Sequence, residues 1–284
     1  MSTPFSKEDV IQNKKQAIKS LNKLLENYIN APNDSRLKKA NLISYWIKDY
    51  VRMIDFEEKF DPTKNISYKR GNIVKVDFGF NIGAEYGGLH YGIILDNNNA
   101  HNSPVVTVIP LTSMKSDKEP HFNSVDLGNE IYRSLKIKYD TISKALKDEQ
   151  EEIKNELTLF KVLVDLTTQT TEELKTGELD DQRFEQKLSD AEKYLTASTK
   201  LQSIWEEKEK HNKEQQDYLN KIGLEIARMK EGSIALVNQI TTISKMRIFD
   251  PRNLKGVLSG ISLSEENMEK INEKMKNLYI FERK

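Results

Sequence analysis

The chain has 284 residues, of which 31% are charged, with 44 Lys/Arg against 44 Asp/Glu and no cysteine. Zero net charge supplies no global field toward nucleic acid or membrane, and the lack of thiols excludes disulfides, thiolate catalysis and Cys-based metal centres. No apolar signal core follows Met1 and no run of eighteen apolar residues occurs, so the sequence reads as a cytoplasmic protein with no membrane segment.

Residues 6–30 set Val10, Ile11, Ile18, Leu21, Leu24, Leu25, Tyr28 and Ile29 at helical spacing. After the break at Ala31-Pro32-Asn33-Asp34-Ser35, a second helix carries Leu37, Ala40, Leu42, Ile43, Trp46, Ile47, Tyr50, Val51 and Ile54, expected to face inward. Residues 1–66 are thus an N-terminal helical hairpin. From Tyr68 the pattern changes. Val74, Val76 and Phe78 alternate with polar residues, whereas Gly92–Leu95 and Val105–Ile109 are continuously apolar, as half-buried and fully buried strands are. Between the first two runs lies a glycine-rich loop, Gly83-Ala84-Glu85-Tyr86-Gly87-Gly88-Leu89-His90, holding one carboxylate and one histidine. Tight loops between strands often carry function.

Residues 130–230 contain no proline and are mildly acidic, 18 Lys/Arg against 22 Asp/Glu, which argues against a nonspecific nucleic-acid arm. Their two apolar stripes meet at Thr176-Gly177-Glu178-Leu179-Asp180-Asp181, the tip of an antiparallel helical hairpin. Each arm spans about 45 residues, or roughly 65 Å. Thr167-Thr168-Gln169-Thr170-Thr171 is poor helix and predicts fraying near the tip. Strands are expected again at Ser233–Val237 and Ile240–Arg247. A last helix opens at Ser264-Glu265-Glu266, an N-cap pattern, and buries Met268, Ile271, Met275, Leu278 and Tyr279.

Taken across the arm, these segments resemble the MazF/PemK family of toxin endoribonucleases. Arg70-Gly71-Asn72-Ile73-Val74 resembles its opening strand, Gly83–Gly88 its Gly-Ser-Glu-x-Gly-Gly loop, and Tyr91–Asp96 its next strand. Val108–Ser113 resembles the strand ending in Thr-Ser, Pro120–Leu127 its Pro-Thr-His-Val segment, Ser233–Ser244 its Glu-Gln-Ile-Arg-Thr-Ile run, and Ser264–Phe281 its C-terminal helix. The resemblance implies an α+β fold: a small SH3-like β-barrel, 67–129 and 231–284, interrupted by the long antiparallel helical hairpin of 130–230.

It also implies metal-independent, cofactor-free cleavage of single-stranded RNA to 2′,3′-cyclic phosphate and 5′-hydroxyl ends, with a homodimer and an antitoxin protein as partners. The family uses an arginine soon after Gly-Gly and the threonine of Thr-Ser. Here His90 stands at the arginine position and Tyr91 where proline is usual. Thr241 replaces the arginine of Gln-Ile-Arg-Thr, and Asn238 the acidic residue before the glutamine. Imidazole exchanges protons near neutrality, which guanidinium does poorly.

The expected catalytic set is therefore His90 for proton transfer, Thr112 and Ser113 donating to phosphate, and Glu85 orienting His90 or acting as a second acid/base. Each also has a structural reading, as a strand-start histidine, turn residues and a loop cap. Substrate contacts are expected from Arg70, Gly87, Gly88, Asn238, Thr241, Lys245 and Arg247, the glycines through their backbone. His101 and His121 read as surface loop residues. The alternative is a catalytically inactive adaptor that binds RNA or protein and uses the arm. In a third reading the N-terminal helices cover the groove as a built-in inhibitor.

Overall fold

The computed structural model describes residues 5–114, 119–177 and 180–280. Glu178 and Leu179 at the expected arm tip, and Phe281, lie outside the described residues.

Helices α1 (Lys7–Ile29) and α2 (Asp34–Phe56) form as their caps direct. Ser6 and Asp9 make a reciprocal capping box, and the Asn33 side chain accepts from the Ser35 N–H at 2.8 Å. The inward faces read from the sequence are not realised. No residue of α1 is buried, and in α2 only Ala40 and Ile43 are. Leu37, Leu42, Val51 and Ile54 stay about half exposed, because the hairpin meets the rest of the chain along one narrow line. There Trp46 sits over Gly79, whose φ of +86° leaves no room for a Cβ, which would lie 2.8 Å from the indole nitrogen.

The strands are β1 (Ile73–Asp77), β2 (Leu89–Ile94), β3 (Val105–Ser113), β4 (Ser124–Asp126), β5 (Ser233–Leu236), β6 (Thr241–Ser244) and β7 (Ile248–Asp250). All pairings are antiparallel, in the order β4-β5-β3-β2-β1-β7, with β6 added to β3. β3 organises the sheet. Its first half pairs with β6 (Val105↔Ser244 to Val108↔Thr241) and its end with β5 (Leu111↔Ala235 to Ser113↔Ser233). The turn Val237–Gln239 swivels the chain between those two pairings. The edge strands β4 and β7 are three residues each and do not pair with one another, so among the described residues the sheet stays open.

Successive residues of the central strands feed two cores. Ile73, Ile93, Ile109 and Leu111 pack into one, and Val74, Ile94, Val106 and Val108 into the other. With both faces covered, the apolar runs are continuous. The first core includes Ile131 and Leu135 from α3 (Glu130–Thr176), Ile222 from α4 (Asp181–Arg228), and Met268 and Ile271 from α5 (Glu265–Tyr279). The foot of the arm is therefore part of the domain core.

Beyond its foot the arm is a slender pair of helices, 47 and 48 residues long. Lys208 bridges across it to Glu156 at 2.5 Å and Glu152 at 3.4 Å. The threonine run does not fray. The hydroxyls of Thr167, Thr168, Thr170 and Thr171 each donate to the carbonyl four residues back at 2.7–2.9 Å, folding the competing polar groups into the helix itself. The strand expected over Ile240–Arg247 is shorter, because the Ser244 hydroxyl accepts from the Met246 N–H and turns Lys245–Arg247 into a short helical turn. The final helix is capped by Ser264 as its sequence suggests, but Tyr279 remains 57% exposed.

Candidate functional site

His90 is the second residue of β2 and pairs with Val76 on β1. The glycine-rich loop before it is pinched at its neck: the Gly88 N–H donates to the Gly79 carbonyl at 2.7 Å, and the Phe78 N–H to the Gly88 carbonyl at 2.9 Å. A side chain cannot enter this neck. A Cβ on Gly87 would sit 2.7 Å from the Gly79 oxygen, and Gly88 has a φ of +89°. The two glycines thus fix where β2 starts and deliver His90 to the surface.

Thr112 and Ser113 reach the same place from the end of β3, across from Ile234 and Ser233 of β5. His90, Thr112 and Ser113 line one cleft of about 260 Å³. Its remaining walls include Lys75 and Tyr91 and, from the C-terminal end of α4, Arg228, Met229 and Lys230. Burial pushes the His90 imidazole below its ordinary value of 6.5, so it is neutral at pH 7. Its ring lies 4.7 Å, centroid to centroid, from that of Tyr86. The Tyr86 hydroxyl donates to the Leu111 carbonyl at 2.5 Å. Burial raises the Tyr86 phenol, and the Thr112 hydroxyl beside it works the other way.

Behind this cleft three elements meet on one carboxylate. Lys75 Nζ of β1 and the Tyr91 hydroxyl of β2 both donate to Glu225 Oε1 of α4, each at 2.5 Å. Burial drives the Glu225 carboxyl up, but these two hydrogen bonds and the Lys75 charge outweigh it and leave its pKa lowered. The Tyr91 phenol is pushed up by burial and then by the neighbouring Glu225.

Glu85 is not in the His90 cleft. It is exposed at the loop tip, where its Oε2 accepts from the Ile82 N–H at 3.3 Å. With Asn238, Gln239, Thr241 and Arg247 it lines a second cleft of about 570 Å³. Gln239 ties the loop to that wall, accepting from the Tyr86 N–H at 3.3 Å and donating to the Ala84 carbonyl at 3.4 Å. Arg247 donates to the Phe78 carbonyl at 3.3 Å and still borders this space. Tyr86 lines this second cleft and packs its ring against that of His90. The expected partnership of Glu85 with His90 is not formed: they line different clefts, and among the described residues no hydrogen bond joins them.

Two expected substrate contacts are placed elsewhere. Arg70 donates to the Leu95 carbonyl and to Asn272 of α5, fastening the start of the sheet to the last helix. Lys245 is fully buried over the Tyr68 ring, and its ammonium donates to the Ala100 and His101 carbonyls. His101 accepts a structural role too, its Nε2 lying 2.7 Å from the Asn65 carbonyl. No residue of α1 or α2 lines the His90 cleft. α2 rests instead on the other flank of the glycine loop, where Leu42 and Trp46 face Gly87 and Gly88 across a separate cleft. Among the described residues, no group of three or more His, Asp or Glu side chains is placed to hold a metal ion, and no helix is long and apolar enough to cross a membrane.

Sequence reasoning missed Lys75, Arg228 and Lys230. The only signal for the last two is a pair of basic residues set between the end of a long helix and the glycine that opens a strand, Arg228-Met229-Lys230-Glu231-Gly232.

In a comparison with protein families, residues 69–177 match the family described as PemK-like, MazF-like toxin of type II toxin-antitoxin system. This segment belongs to the PemK/MazF toxin family. The matched stretch contains β1 to β4 and the outgoing helix of the arm, and hence His90, Thr112 and Ser113. The strands after the arm lie outside the match, yet β5 and β6 pair directly with β3 of the PemK/MazF segment. A comparison with curated proteins finds no match.

Proposed function

We propose that the protein is a toxin-type endoribonuclease that cleaves single-stranded RNA at the His90 cleft without a metal. The observation that carries this reading is the convergence of His90, Thr112 and Ser113, from two strands of the PemK/MazF segment, on one cleft with cationic walls. A neutral imidazole can take the proton of a ribose 2′-hydroxyl. The 2′-oxygen then bonds to the adjacent phosphorus, the bond to the 5′-oxygen on its far side breaks, and that leaving oxygen takes a proton from water in the open cleft, while His90 gives its proton back to solvent. The products are a 2′,3′-cyclic phosphate and a 5′-hydroxyl. Thr112 and Ser113 donate to the phosphate oxygens as charge builds on them. The larger cleft beyond Tyr86, with Asn238, Thr241 and Arg247, holds a neighbouring nucleotide, and Glu85 acts there rather than on the proton. An antitoxin protein and a second copy of the chain are the partners this reading carries with it.

Wild type and His90→Ala, expressed inducibly and followed by mapping of RNA 5′ ends, test the proposal. New 5′-hydroxyl ends with wild type alone are expected. With purified protein, the acid limb of the rate profile is expected below pH 6.5, following the lowered His90 value. Undamaged RNA from both cultures would overturn the cleavage reading and leave an RNA- or protein-binding adaptor.

A further inference from the structure

A phosphate undergoing attack gains negative charge, and the groups the PemK/MazF segment itself brings to the cleft do little to balance it. His90 is neutral at pH 7, Thr112 and Ser113 are hydroxyls, and the charge of Lys75 is already paired with Glu225 at 2.5 Å. The remaining cations on the walls are Arg228 and Lys230. Both are exposed, and among the described residues neither side chain makes a salt bridge or a hydrogen bond. The nearest acid along the helix, Glu225, feels the Arg228 charge, but its hydrogen bonds come from Lys75 and Tyr91, so the Arg228 donors remain open toward the cleft.

Their position is fixed from both sides. One turn earlier, Glu225 clamps α4 to β1 and β2. Two residues later, Gly232 turns the chain into β5 with a φ of +79°, and a Cβ there would lie 2.8 Å from Met114. The Met114 N–H donates back to the Gly232 carbonyl at 3.0 Å. The C-terminal end of α4 carries about half a unit of negative charge from its carbonyls, which alone would repel a phosphate. Two cations at that end reverse the sign.

We infer that the inserted arm supplies the phosphate-holding charge of the cleft, with Arg228 and Lys230 at the foot of α4 gripping the RNA backbone beside His90. This rests on the cleavage reading above and deepens it: the arm is a working wall of the site as well as an appendage to it.

The test uses the full-length chain and a long single-stranded RNA of mixed sequence. Relative to wild type, Arg228→Gln/Lys230→Gln is expected to lose about 100-fold or more in cleavage rate. In a His90→Ala background, which keeps the RNA intact, the same pair is expected to flatten the dependence of log affinity on log salt by about 0.7 for each cation removed. Lys200→Gln/Lys210→Gln, two exposed charges farther along α4, is expected to change neither quantity, and Arg228→Lys to keep the salt slope. A wild-type rate and slope in Arg228→Gln/Lys230→Gln would overturn the inference. So would an equal loss from Lys200→Gln/Lys210→Gln. The two readings fail separately: absence of cleavage by wild type removes the nuclease, while the salt slope still reports on Arg228 and Lys230.

Discussion

The inserted arm and the N-terminal hairpin are both pairs of antiparallel helices, and they are joined to the sheet in opposite ways. The arm leaves from β4 and returns into β5, so its first and last turns lie within the core: Ile131, Leu135 and Ile222 are at most 2% exposed. Polar ties add to this. Glu130 accepts from the backbone and side chain of Ser264 and from Asn267, and Lys138 donates to the Val257 and Ser259 carbonyls at 2.9 and 2.7 Å. The N-terminal hairpin is attached at one end only, and α1 buries no side chain. Two connections force an element to pack; one connection lets it hang on a few contacts.

This contrast can be tested by mutation. Ile222→Ala, in the arm's foot and fully buried, is expected to cost about 2–5 kcal/mol in urea unfolding. Glu225→Gln is expected to cost about 2–3 kcal/mol, since it leaves the half-buried Lys75 ammonium without its counter-charge and offers Lys75 and Tyr91 only a neutral amide oxygen. That loss has a pH signature. The Glu225 carboxyl is held below its ordinary 4.5, so its stabilisation is complete above that value and disappears as pH falls through the lowered one. Unfolding curves of wild type and variant are therefore expected to converge in acid, and a gap that stays constant down to low pH would remove the ion pair as the cause. Gly79→Ala is expected to cost about 1–2 kcal/mol through its left-handed backbone, and to unseat Trp46, so that protease cuts the first 60 residues while the arm survives. Last, Ile18→Ala on α1 is expected to stay within about 0.5 kcal/mol of wild type; a larger change would show that α1 packs more firmly than its exposure implies.

Much of this was legible from residue patterns. The Gly87-Gly88 neck, the period of the arm, the break at Pro32 and the Ser264 cap all follow from local chemistry, and the ordered motifs placed His90, Thr112 and Ser113 in one neighbourhood. What could not be read depends on distant pairing. Arg228 and Lys230 reach His90 only because β5 joins β3, a contact spanning the whole arm. Lys245 looks like a free cation in sequence, but the short turn after Ser244 directs it inward over the Tyr68 ring. The place of Glu85 in the loop suggests a partnership with His90, whereas the two line different clefts. For α1 and α2, an amphipathic pattern showed that a face exists without showing that anything covers it.

Strand order also bears on how the protein is made. β5 lies between β3 and β4 in the sheet, but the two arm helices of 47 and 48 residues must be synthesised before it appears. At about 5–20 residues per second, that is a delay of roughly 5–20 s. Until it ends, Thr112 and Ser113 sit on an unpaired edge and the wall bearing Arg228 and Lys230 has not emerged from the ribosome. A chain interrupted within the arm lacks β5 and the wall bearing Arg228 and Lys230, and never completes the cleft.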